Sequence, residues 1–172
     1  MRFRLSLALA LASLLAGPPG ARAAFNPGDF YASFNLSGAS VTTNIAHYGP
    51  TGAFIDTISV PGSASAETRG LAYGPDGLLY AVQSRGTDSL AVLALDSAGN
   101  VQQTYTASGP SAEIANGIYL GKIAFDNAGH FFVGTNGGLL EYNTGDASSG
   151  KLLYSGSNVN DVRAVGNCDI RS

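Results

Sequence analysis

The sequence predicts an all-β protein assembled from repeating antiparallel hairpins, and three observations predict it. First, a short apolar strand at 70–73 enters the turn Gly74-Pro75-Asp76-Gly77, and a second strand at 78–83 leaves it. The design returns at 122–135, where Asp126-Asn127-Ala128-Gly129 makes the turn. Proline suits the first corner of a type I turn, and glycine tolerates the positive φ that closes such a hairpin. Second, helix-period patterning is nearly absent, and turn signals recur at the roughly 8–12-residue spacing of short-strand proteins. Third, the equivalent alanines Ala72, Ala124 and Ala164 lie 52 and 40 residues apart, the period of a propeller blade.

Residues 1–23 read as a processing segment. Arg2 and Arg4 give a basic start, residues 5–16 form an apolar run, and Ala21-Arg22-Ala23 places small residues at both cleavage-determining positions. The run is well short of the ~20 residues a spanning helix requires, so a secretory signal peptide is favoured over an anchor. Export then places the mature protein in the periplasm or outside the cell. Of nine Lys and Arg, three (Arg2, Arg4, Arg22) precede the expected cleavage, leaving six against twelve Asp and Glu, a net charge of −6. No basic stripe could neutralise phosphates, which excludes nucleic acid as an expected partner. No later stretch is apolar enough to span a bilayer. Removing 23 of 172 residues leaves 149, enough for one domain with a core. Cys168 is the single cysteine, so no intrachain disulfide forms.

The strands follow in order. Residues 29–35 alternate weakly, 40–48 are rich in β-branched residues, and 53–60 alternate clearly after the turn Gly49-Pro50-Thr51-Gly52. Pro61-Gly62 ends the third strand, and a small-residue loop, 63–68, leads to the hairpin at 70–83. Strands at 89–95 and 101–106 flank the turn at 96–100, and the longest connection runs from 107 to 121. The pattern then repeats at 122–125, 130–135, 138–142 and 151–154, and a last strand starts at 161–165. Calling the strands of one unit a, b, c and d, the chain supplies b-c-d (29–60), a-b-c-d twice (70–106, 122–155) and a lone a (161–166), followed by an atypical tail, 167–172. A sandwich shares the short strands but not this recurring four-strand phase. The expected fold is therefore a β-propeller of four-stranded antiparallel blades, spanning 24–166, with about three blades present and the ring incomplete.

The blade text Arg69-Gly70-Leu71-Ala72-Tyr73-Gly74-Pro75-Asp76-Gly77-Leu78-Leu79-Tyr80-Ala81-Val82 resembles NHL-type propellers and their streptogramin-lyase-like and gluconolactonase/regucalcin-like relatives. Thr51-Gly52-Ala53-Phe54-Ile55-Asp56-Thr57 is similar to the outer-strand signature of exported bacterial members. The resemblance covers roughly 29–165 and implies a ring of about six or seven blades. Two expectations follow. The chain is the N-terminal part of a longer propeller, or two chains pair through their open blade edges.

The loops sort by face. The a–b and c–d turns are mostly Asp, Asn and Gly punctuation. The opposite face carries Glu67, Arg69, Glu113, Asn116, Lys122, Asn160, Asp161 and Arg163 on d–a loops, and Arg85, Asp88 and Asn136 on b–c loops. Binding residues concentrate on loops held by a rigid scaffold, so this face is the candidate ligand site. No nucleophile elbow, zinc-binding helix motif, EF-hand loop or phosphate loop is present. His47 and His130 each stand beside a turn and read as surface or hydrogen-bonded histidines. Asp126-Asn127 raises calcium, but the remaining ligand spacing is missing and turn chemistry is preferred. The gluconolactonase-like resemblance implies a central metal held by Glu, Asn and Asp, for which Glu67, Glu113, Asn116, Asn136, Asn160 and Asp161 are the available side chains; the lyase-like resemblance implies a catalytic histidine. No cofactor is expected. The Asn35-Leu36-Ser37 sequon is expected to stay unmodified in a sequence of bacterial style. The aromatics Tyr73, Tyr80, Phe125, Phe131, Phe132 and Tyr142 read as packing between blades. The expected role is an exported, non-enzymatic scaffold for a protein or small-molecule ligand; a metal-assisted hydrolase or lyase is the alternative.

Overall fold

The computed structural model describes residues 25, 26, 28–36, 42–61, 66–85, 90–106, 122–156, 159, 162 and 163. These form eleven strands in three antiparallel sheets. Sheet I holds β1 (Phe30–Leu36), β2 (Thr42–Tyr48) and β3 (Phe54–Ser59). Sheet II holds β4 (Ala66–Tyr73), β5 (Leu79–Arg85), β6 (Leu90–Leu95) and β7 (Val101–Thr106). Sheet III holds β8 (Lys122–Phe125), β9 (His130–Thr135), β10 (Gly138–Asn143) and β11 (Asp146–Ser155). Each sheet is a meander in which sequential strands pair, and none of the three closes on itself. Among the described residues no helix is long and apolar enough to cross a membrane.

The hairpin turns explain why the strands begin where they do. In the turn after β4, Gly74 N–H donates to Leu78 O and Gly77 N–H to Gly74 O. Gly77 sits at φ 77° and Gly129 at φ 87°, the left-handed region that a side chain disfavours. Aspartates fix the turns from within. Asp126 Oδ1 accepts from the N–H of Ala128 and His130, both at 2.8 Å. Asp96 Oδ1 accepts from Ala98 and Asn100 in the same way. The Asp126-Asn127 turn is thus fixed by its own aspartate side chain.

Sheet II is the middle layer. Alternate residues of its strands face opposite neighbours, as the two-residue strand period requires. Leu79, Ala81, Leu93 and Leu95 pack with Ile45, Ile58 and Val60 of the sheet I side. Tyr80, Val82, Val92 and Tyr105 pack with Phe131, Val133, Leu140 and Tyr142 of sheet III. The second interface is aromatic, with Phe131 stacked on Tyr142 at 4.9 Å between centroids and edge-on to Tyr105 at 5.0 Å. Tyr80 donates to Asp76 Oδ2 at 2.9 Å, and Tyr105 donates to the Thr144 carbonyl at 2.8 Å. Burial, then the bonds to Tyr105 and Asp76, push the Tyr80 phenol far above its ordinary range. Of the aromatics expected between units, Tyr80, Phe125, Phe131 and Tyr142 lie in this interface. Tyr73 packs instead on Tyr31 and Phe25, toward sheet I. Phe132 pairs with Ala124 and Glu141, so it lies on the face of sheet III opposite Phe131.

Two expected boundaries are corrected. β4 starts at Ala66 rather than 70, because Ala66, Glu67 and Thr68 pair with Arg85, Ser84 and Gln83. β11 starts at Asp146 rather than 151, because register shifts let Asn143 pair with Asp146 while Leu139 pairs with Tyr154. Only Thr144 and Gly145 separate β10 from β11. Of the expected last strand start at 161–165, Val162 and Arg163 are described, and neither is in a strand.

Candidate functional site

β1, β4 and β8, the first strands of the three sheets, stand side by side. Tyr31, near the start of β1, meets Tyr73 at the end of β4, with ring centroids 5.7 Å apart. Between the three strands lies a cleft of about 370 Å³ lined by Tyr31, Ser33, Arg69, Gly70, Leu71, Lys122, Ile123 and Val162. Val162 reaches it because the chain returns after β11, with Val159 N–H donating to Thr135 O at 3.0 Å. Gly134 permits that return, since a Cβ there would meet Val159 O at 2.8 Å and Val162 Cγ2 at 2.9 Å.

A β-bulge places the main cation. Thr68 pairs with Gln83 and Gly70 with Val82, so Arg69 is the extra residue on β4. An unpaired bulge residue escapes the strict alternation of the pleat, and its side chain is re-aimed. Arg69 lines the cleft and forms an ion pair with Glu67, both side chains being 31% exposed. Its Nε is buried and bonds to no protein atom. Lys122, at the start of β8, brings a second cation and, among the described residues, pairs with no carboxylate. Beside the bulge, Thr68 Oγ1 and Gln83 Oε1 are also buried without partners, while Gln83 Nε2 donates to the Pro61 carbonyl at 3.2 Å.

Of the residues expected to bind a ligand, Glu67 and Arg69 therefore meet at the cleft, as does Lys122. Glu67 and Arg69 are strand residues rather than loop residues, because the bulge lets β4 continue through them. Arg85 is the last residue of β5, not part of a loop. Asn136 lies in the two-residue turn between β9 and β10, and Arg163 is exposed on the returning segment. Asp88, Glu113, Asn116, Asn160 and Asp161 lie outside the described residues, as does Cys168. Among the described residues no group of three His, Cys, Asp or Glu is placed to hold a metal ion. Sequence reasoning missed Ser33 and Tyr31 as cleft residues, since nothing local in β1 announces that it will stand against β4.

Both histidines are held by carboxylates. His47 Nε2 lies 2.8 Å from Asp29 Oδ2 and its Nδ1 3.0 Å from Asp56 Oδ1, and the ring stacks on Tyr31 at 4.5 Å. A neutral imidazole has one N–H, so both contacts are hydrogen bonds only when the ring carries two. The two contacts tie β2 to β3 and to the segment before β1. His130 Nδ1 bonds Asp126 Oδ2 at 2.9 Å across its own turn.

No family model matches the chain, and no curated protein matches its sequence. Among solved structures, it is similar to the crystal structure of a protein of unknown function from Bacteroides caccae, with 16% identity and a TM-score of 0.45. The likeness covers 69% of this chain and 42% of that one, so the chain spans less than half the length of its structural neighbour.

Proposed function

We propose that the chain is an exported, non-enzymatic binding module of the propeller type, taking its ligand in the cleft between β1, β4 and β8. The observation that carries this reading is the bulge at Arg69, which spends ladder pairing to bring a guanidinium to the cleft beside Lys122. Bulges re-aim side chains and are over-represented beside binding and active sites. Two features support the propeller arrangement. The sheets stack in chain order, and the first strands gather on one side. Ligand sites of such scaffolds lie in concave places with a few convergent polar groups.

The test is a ligand-observed NMR screen of polar metabolites against the exported chain and its Ser33→Phe variant. Phenylalanine at 33 fills the cleft without removing a charge. Ligands that bind the parent and are lost in Ser33→Phe support the reading. Ligands that bind both equally overturn it.

A further inference from the structure

From the two cations that line it we infer that the cleft takes a small organic carboxylate, held by the Arg69 guanidinium and the Lys122 ammonium. This inference rests on the cleft being the binding site. The cleft lining holds two cations and no carboxylate. Arg69 brings a guanidinium, Lys122 an ammonium with three N–H groups, and Ser33 a hydroxyl.

The sign and size of the charge narrow the ligand further. Glu67 neutralises one of the two cations, so the site presents one net positive charge. A carboxylate monoanion balances that charge, whereas a phosphate dianion over-balances it and meets Glu67 as a like charge. The planar guanidinium fork also matches the two oxygens of a carboxylate, which an ammonium alone would not orient. The cleft of about 370 Å³ is the size of a small molecule. Leu71 and Ile123 provide an apolar wall for its carbon skeleton.

The experiment is a residue-resolved ¹H–¹⁵N titration of the exported chain at constant ionic strength. The probes are sodium acetate, sodium lactate, inorganic phosphate and glucose. Acetate and lactate are expected to shift the Gly70 and Lys122 amides saturably. Lys122→Gln, a surface change that leaves the core untouched, is expected to weaken both by about tenfold, the value of one charge-assisted hydrogen bond. Arg69→Lys, which keeps the charge but loses the fork, is expected to weaken them as well. Phosphate saturating the same amides at lower concentration than the carboxylates overturns the inference. So does equal carboxylate binding by Lys122→Gln. Saturable shifts with glucose but with neither carboxylate overturn it while leaving the cleft as a binding site. Silence from every probe at these amides overturns the inference too, and the metabolite screen against Ser33→Phe then decides whether the cleft binds anything.

Discussion

Replacing Phe131 with alanine removes the keystone of the interface between sheets II and III. The ring is fully buried and touches four others, with centroids at 4.9 Å (Tyr142), 5.0 Å (Tyr105), 5.3 Å (Tyr80) and 5.3 Å (Phe125). A buried Phe→Ala change costs roughly 3–5 kcal/mol through lost transfer energy and the cavity left behind. Aromatic pairs add about 0.5–1.5 kcal/mol each beyond buried area, which places this site at the upper end of that range. The hydroxyls of Tyr80 and Tyr105 are tied to Asp76 and Thr144, so neither ring can swing in to fill the space. A domain of this size holds about 5–15 kcal/mol in total, so the loss consumes a large share of its stability. The assay is urea unfolding followed by far-UV circular dichroism, with Phe54→Ala as the control. Phe54 is 60% exposed, and its truncation is expected to cost about 1 kcal/mol or less. If the two variants unfold at the same urea concentration, the packing of sheet II on sheet III described above is wrong.

Three further outcomes follow from local geometry. Gly138→Ala is expected to detach β11, because a Cβ there would lie 2.0 Å from the Tyr154 carbonyl oxygen; hydrogen exchange of the β10 and β11 amides reads the loss. His47→Leu leaves the Asp29 carboxylate, only 4% exposed, without its ring partner, and is expected to cost roughly 1–3 kcal/mol in urea unfolding. Acid is expected to weaken the hairpins. Bonds from Ser148 lower the Asp146 carboxyl, and at Asp96 and Asp126 the raising effect of burial is outweighed by bonds from Asn100 and His130 respectively. A carboxyl lowered by folding stabilises above its unfolded pKa of about 3.9, and that contribution disappears as pH falls through the lower folded value. The thermal midpoint should therefore drop on acidification below about pH 4, and Asp96→Asn should flatten that drop.

Much of the sheet pattern was legible because turns are written locally. Gly74-Pro75-Asp76-Gly77 and Asp126-Asn127-Ala128-Gly129 each contain the residue types their backbone requires, and the strand ends that meet these turns fall within a residue of expectation. β11 was read too short because Ala147-Ser148-Ser149-Gly150 has the composition of a loop. Its pairing is set by shifts against β10, which no window of β11 encodes. The candidate site was half legible. Arg69 and Glu67 stood out as charges before an apolar strand, but their setting depends on which residues of β5 lie opposite. Gly70 inside the strand was the available signal, since glycine there often marks a bulge. The His47 clamp was beyond local reading, because Asp29 lies 18 residues away and meets it only once β1 and β2 have paired.

The most direct measurement is a crystal of the chain soaked with a library of small polar fragments. The account predicts fragment density in the cleft against Arg69, Lys122 and Ser33, with the guanidinium already turned inward before soaking. Fragments gathering elsewhere, with Arg69 directed to solvent and the cleft bare, would contradict it.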